Sequence, residues 1–220
     1  MAESLAASED WEPSASGGVT SRAEPLLTIE PFVGWRRWSV VPYGKQYAPV
    51  LASTILGHRW GESRHRAFCT PLDNEEPPTQ THRAPDPDCT CGVYAYKGPL
   101  SEIWSGIGLW AEGHVMLWGR VLEGRLGYRA EQAQIMAPLS VRIRCEPEPG
   151  VPGWSGILCQ RRPTTVVFQE RAFVPLCEYH RKGKNGAYEL ASDAFGVMVR
   201  KELRDRYGTE VYWRGSGEWT

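Results

Sequence analysis

The chain opens on a stretch without apolar periodicity. Residues 1 to 26 are rich in Ala, Ser, Glu and Gly, with Trp11 as their single aromatic side chain. So little apolar surface cannot offset the entropy of ordering, and a disordered tail is expected there. From Leu26 the pattern changes. LLTIEPFVGWRRWSVV sets β-branched and aromatic residues around Gly34, and QYAPVLASTILGHRW follows a Pro42-Tyr43-Gly44 turn, which predicts two or three strands. GVYAY after Cys91, HVMLWGRVLEG, and TTVVFQERAFVPL each read as a strand. The segment GYRAEQAQI is less plain, because Ala, Glu and Gln favour helix while the GRLG turn before it favours a returning strand. The strand is preferred.

Two helices are expected. PLSEIWSGIG reads as a short one starting near Pro99, with Ser101 close to its beginning. The second is longer: Phe195, Val199, Leu203 and Tyr207 recur about every four residues, Ser192 is placed as N-cap with Asp193 in the first turn, and Gly208 stops the helix. Between these elements lie two segments unable to form regular structure. Residues 70 to 88 hold five prolines and almost no apolar side chain, and EPEPGVPGWSG, 146 to 156, is a Pro/Gly loop. The resulting division is a disordered tail, 1–26, a β-rich domain, 27–145, and a C-terminal β/α portion, 146–220, packed on the same core.

Composition sharpens the fold class. With 10 Trp, 9 Tyr, 23 Gly and 17 Pro in 220 residues, short strands and tight turns are favoured over long helices. The expectation is an α+β protein, mostly β: an antiparallel sheet or partly open barrel with a zinc-pinned loop and a C-terminal helix. The net charge of -1 leaves no overall positive field, so any contact with nucleic acid must be local. The first residues carry acidic side chains and no apolar run of a signal peptide, and no later stretch reaches the roughly 18 apolar residues of a spanning helix. No membrane association and a cytoplasmic setting are expected. Thiols are reduced there, so six cysteines read better as metal ligands or buried thiols than as disulfides.

The chemistry concentrates in Cys69, His82, Cys89 and Cys91, which give the pattern C-x12-H-x6-C-x-C. Four soft or borderline donors in one short window suit the closed tetrahedral site that structural zinc takes. Metal bonds at both ends would also pin a proline-rich loop that has no core of its own. A second set, Cys145, Cys159, Cys177 and His180, is spaced more loosely and lies beside apolar strand residues, where small buried thiols are ordinary. Whether it forms a second metal site is left open.

Two basic regions remain. Around the expected hairpin stand Trp118, Arg120, Arg125, Tyr128, Arg129 and Glu131. They read either as a solvated hairpin with salt bridges or as a recognition surface in which Arg meets phosphate or carboxylate and an aromatic ring stacks. Residues 161 to 206 hold ten Lys/Arg against six Asp/Glu, and the loop HRKGKNG within them offers Arg181, Lys182 and Lys184 as phosphate contacts.

His82-x2-Pro85, Asp88 to Ala95 (DCTCGVYA), Trp118-Gly119-Arg120-Val121 and Gly127 to Glu131 (GYRAE), with Gly34-Trp35-Arg36 upstream, together resemble a family of uncharacterised proteins from actinobacteria and their phages. The resemblance spans roughly residues 30 to 140. It implies one folded unit in a cytoplasmic setting and names no activity.

No phosphate loop, nucleotide fingerprint or triad motif is present. The expected function is therefore a non-catalytic, zinc-stabilised binding module for a protein or nucleic acid. The competing reading is an enzyme acting on a small molecule or nucleic acid through a cleft near Arg120, Arg129 and Glu131.

Overall fold

The computed structural model describes residues 26–27, 30–54, 57–69, 82–99, 108–146, 159, 161–169, 172–182 and 188–214. Residues 1–25 of the expected tail, nearly all of the expected helix at PLSEIWSGIG, residues 70–81 of the proline-rich loop and most of the Pro/Gly loop lie outside them, while Leu26, counted in the tail, begins a strand.

The protein is mostly β. Twelve strands are described: β1 (Leu26–Leu27), β2 (Phe32–Tyr43), β3 (Ala48–Ser53), β4 (Arg64–Arg66), β5 (Val93–Tyr96), β6 (Leu109–Glu123), β7 (Gly127–Ile135), β8 (Leu139–Ile143), β9 (Thr165–Gln169), β10 (Ala172–Leu176), β11 (Tyr188–Ala191) and β12 (Val211–Arg214). The helices are α1 (Glu178–Arg181) and α2 (Ser192–Tyr207). One sheet runs β12-β8-β6-β2-β5-β7-β4, with β1 on β6 and β3 on β2; an additional β6–β7 pairing closes part of it into a ring. It is a mixed sheet, because β12 joins β8 in parallel. A separate sheet has the order β10-β9-β11.

The chain divides into two compact units, and β2 and β6 each run through both. In the first unit β7 is the organising strand. Its partner β6 pairs Val115–Trp118 with Ile135–Gln132 and then Val121–Glu123 with Ala130–Tyr128, so Gly119 and Arg120 together face only Glu131. This is a β-bulge, and Gly119 takes the positive φ of +80° that it needs. Elsewhere β7 pairs with β4 at Gln132–Gln134 and with β5 at Gly127–Ala130. The register leaves Glu131 between the ends of β4 and β5. Val115, Leu117, Val121, Ala130 and Ala133 are fully buried, as the alternation of these strands requires.

The second unit packs α2 against a sheet. Phe195, Val199, Leu203 and Tyr207 are all buried, which matches the spacing in the sequence. The Tyr207 hydroxyl accepts from the Leu51 amide at 2.9 Å and donates to the Trp60 carbonyl at 2.8 Å. Gly208 ends the helix in the left-handed conformation, its amide returning to the Arg204 carbonyl at 2.9 Å. Two expectations need correction. Ser192 is the first helical residue, Ala191 holds the cap position, and no side chain caps the helix. TTVVFQERAFVPL is two strands in place of one: β9 and β10 form an antiparallel pair with Ala172 opposite Gln169, so the apolar run folds back on itself, and Phe168 meets Phe173 and Phe195.

Candidate metal centres

Two groups of cysteine and histidine donors converge, one in each unit. In the first, the donor atoms of Cys69, His82, Cys89 and Cys91 all lie within 4.8 Å of one another. Cys69 Sγ and Cys89 Sγ are 3.7 Å apart, and His82 Nε2 is 3.2 Å from Cys91 Sγ. A tetrahedral ion about 2.3 Å from each sulfur would separate the sulfurs by about 3.8 Å. The group is therefore geometrically suitable for a single metal ion.

The register of β7 explains this meeting. Cys69 follows β4 by three residues and Cys91 precedes β5 by two, and both strands lie on β7. The donors are thus delivered to the gap beside Glu131. Gly92, at a φ of +129°, makes the passage from Cys91 into β5; a Cβ there would lie 3.1 Å from Pro85 Cβ and 3.3 Å from Arg129 Cβ. Arg129 is 5% exposed and donates to the carbonyls of Cys89 and Cys91, the latter at 3.3 Å. Its cation so fixes the backbone that carries two ligands.

Glu131 is 1% exposed. Its carboxylate accepts from Arg83 at 2.6 Å, Arg66 at 3.1 Å and the Arg120 amide at 3.4 Å. Burial raises its pKa, but Arg83, the Arg120 amide and Arg66 outweigh that and hold it below the usual carboxylate value. Arg120 also donates to the Arg83 carbonyl at 3.0 Å. Arg83 adjoins the candidate ligand His82, so the carboxylate and three arginines support the loop that carries these donors. Arg129 and Glu131, expected at a recognition surface, are both buried beneath these contacts. Trp118 lies under the Arg64 guanidinium at 5.7 Å, and Tyr128 contacts Phe32 at 5.0 Å and Lys97 at 5.6 Å.

In the second group, the donors of Cys145, Cys159, Cys177 and His180 also lie within 4.8 Å of one another. His180 Nδ1 is 3.2 Å from Cys145 Sγ and 3.3 Å from Cys177 Sγ, and Cys159 Sγ is 4.0 Å from Cys177 Sγ. Its three cysteines are buried, at 1%, 8% and 2% exposure. The sequence pattern admitted this set without favouring it, because nothing local brings residues 14 and 18 positions apart together.

The thiols of both groups respond to their surroundings. Burial pushes Cys91 up to about 12, against the lowering effect of the Asp86 amide and with help from Cys89. Burial also raises Cys69 and Cys145. Cys177 goes the other way: burial would raise it, but the amides of His180 and Tyr179 and the neighbouring thiols lower it overall. A divalent ion would convert such thiols to thiolates and release their protons.

Of the C-terminal basic residues, Arg181 binds Glu189 Oε1 at 2.5 Å, while Lys182 lines a pocket of about 450 Å³ with Arg161, Arg162, Thr164, Cys177, Glu178 and Tyr179. Lys184 lies outside the described residues. On α2, Lys201 pairs with Asp205 at 3.1 Å. No helix among the described residues is long and apolar enough to cross a membrane.

Compared with known protein families, curated proteins and solved structures, the chain matches none.

Proposed function

We propose that this chain is a non-catalytic binding module in which Cys69, His82, Cys89 and Cys91 hold one structural zinc ion, and that its target is nucleic acid. The observation that carries the module is the convergence of four donors within 4.8 Å. Three thiols and one imidazole complete a tetrahedral shell and leave no position for substrate. Against the enzyme reading, both oxygens of Glu131 are engaged by arginine side chains that also lower its pKa and so its basicity, whereas a general base needs a free oxygen near the substrate proton.

Nucleic acid is favoured over protein by one surface of the second unit. Tyr179 is 56% exposed, and the Arg161 guanidinium lies 4.8 Å from its ring centre. Arg162 and Lys182 are exposed around the same pocket. An open aromatic ring among cations suits a base stacked beside its phosphates. Arg162 meets Asp193 at 3.6 Å, a pair with both partners mostly exposed, which phosphate competes with easily.

The test is binding of unrelated single-stranded and duplex oligonucleotides across a salt series. The variant carrying Arg161→Ala and Lys182→Ala should bind every sequence more weakly and lower the logarithmic salt slope by about 1.4 on single strands, at about 0.7 per lost phosphate contact. Unchanged affinity would move the surface elsewhere. No binding at low salt would point to a protein partner.

A further inference from the structure

The second group of donors has a geometry that a set of merely buried thiols does not require. Cys145 follows β8, Cys159 stands 14 residues further on, and Cys177 and His180 flank the start of α1. Three separate stretches of chain therefore deliver side chains to one point. Buried thiols need only apolar neighbours, yet here an imidazole nitrogen faces two sulfurs at 3.2 and 3.3 Å. The remaining sulfur, Cys159 Sγ, lies 4.0 Å from Cys177 Sγ, close to the edge of about 3.8 Å expected for two thiolates on a tetrahedral ion. A disulfide would require about 2.0 Å. All six cysteines are free.

We propose that Cys145, Cys159, Cys177 and His180 form a second, independent zinc site. Its donor set, three sulfurs and one imidazole, is that of a closed structural site, with His180 binding through Nδ1. The Cys177 amide lies 3.2 Å from Cys145 Sγ, the kind of N–H···S contact that holds a ligating thiolate in place. The ion ties the end of β8 and residue 159 to the strand β10, and thereby fixes α1, whose Tyr179 and Lys182 belong to the pocket described above. The site is more deeply enclosed than the first, where Cys69 and Cys89 are partly exposed. Zinc should therefore leave the second site more slowly.

The experiment is metal analysis of the full-length protein by mass spectrometry, with cobalt substitution as a second measurement. Wild type should carry two equivalents of zinc; His180→Ala and Cys159→Ser should each carry one, and Cys91→Ser should carry one as well. Cobalt-loaded wild type should show thiolate-to-metal absorption and tetrahedral d–d bands with about twice the intensity of cobalt-loaded His180→Ala. One equivalent in wild type that is kept in His180→Ala and lost in Cys91→Ser would overturn the second site and leave the first standing. One equivalent lost in His180→Ala and kept in Cys91→Ser would do the reverse. If both second-site variants fail to fold, a wild type that takes up a single cobalt ion overturns the proposal, and one that takes up two supports it.

Discussion

Arg83 donates to Glu131 at 2.6 Å, and this contact joins the middle of β7 to the residue next to His82, one of the four converging donors. The carboxylate side chain is 2% exposed, while the guanidinium is 60% exposed. The carboxylate is therefore desolvated whether or not Arg83 is present, and the arginines are what make its charge tolerable. Arg66 reaches the other oxygen from the end of β4, so the strand that leads to Cys69 and the loop that holds His82 share one anion.

Glu131→Gln should destabilise the protein by about 1–2 kcal/mol near neutral pH, less than a fully enclosed ion pair because both arginines stay hydrated. The sign of its pH dependence is fixed. Glu131 titrates lower folded than unfolded, so its contribution is fully present above the ordinary carboxylate value and fades as pH falls through the lowered one. Denaturant unfolding of the two proteins, both freed of metal by a chelator, should give midpoints that differ at pH 7 and converge as pH falls through the lowered Glu131 value. A difference that stays constant would show that the charge is not the stabilising feature.

Gly119→Ala should cost about 1–3 kcal/mol. A side chain at a φ of +80° is strained, and its Cβ would lie 2.9 Å from Glu131 Oε2 and 3.2 Å from Glu131 Cβ. Moving Glu131 aside would break its contacts to Arg83 and Arg66. Thermal unfolding of Gly119→Ala should thus show a lower midpoint and also faster zinc release to a chelator. A loss of stability with unchanged zinc release would separate the bulge from the metal loop.

Sequence alone carried β2, β3, β5, β6, β7 and the final helix because their signals are local, whereas the short β4, β8, β11 and β12 went unread. The four-residue spacing from Phe195 to Tyr207 needs no partner to be read, and the GRLG turn settles GYRAEQAQI as a strand despite its helix-forming residues. The first donor set was legible for the same reason: its members fall within 23 residues. The arginine contacts were not. Arg66 and Glu131 are 65 positions apart, and only the pairing of β4 with β7 brings them together. The convergence of Cys145 with Cys177 and His180 depends likewise on the fold of the second unit. Burial of Arg129 and Glu131 ran against the usual exposure of charged residues.

Gly196→Ala sets two effects against each other. Alanine in a helix interior gains about 1 kcal/mol over glycine from propensity. Here a Cβ would lie 2.7 Å from Trp213 Cε2 and 2.8 Å from its Nε1, too close for a rigid indole, and such overpacking costs about 1–3 kcal/mol. Packing should prevail, giving a net loss of about 1 kcal/mol or more. A raised melting temperature would mean that β12 shifts freely to make room.

Removing zinc should reverse the pH dependence of stability. Without metal, burial holds the Cys91 thiol at about 12 against an ordinary 9.0, so the neutral thiol is the favoured folded form. Its contribution is complete below about pH 9 and is lost as pH rises toward 12. With zinc bound, the same sulfur must be a thiolate, and protons compete with the metal; stability then falls as pH drops below neutrality. Cys91→Ser should lose one equivalent of zinc and about 2–4 kcal/mol, since the donor set loses its one buried member and the segment between β4 and β5 loses its tether. Melting temperatures of zinc-loaded and chelator-treated wild type, followed from pH 5 to pH 10, should lie closest at the acid end and diverge most at the alkaline end. The treated protein should resemble Cys91→Ser at each pH more closely than it resembles the loaded form. Curves that coincide across this range, with no metal in the untreated protein, would remove zinc from the account of the first site.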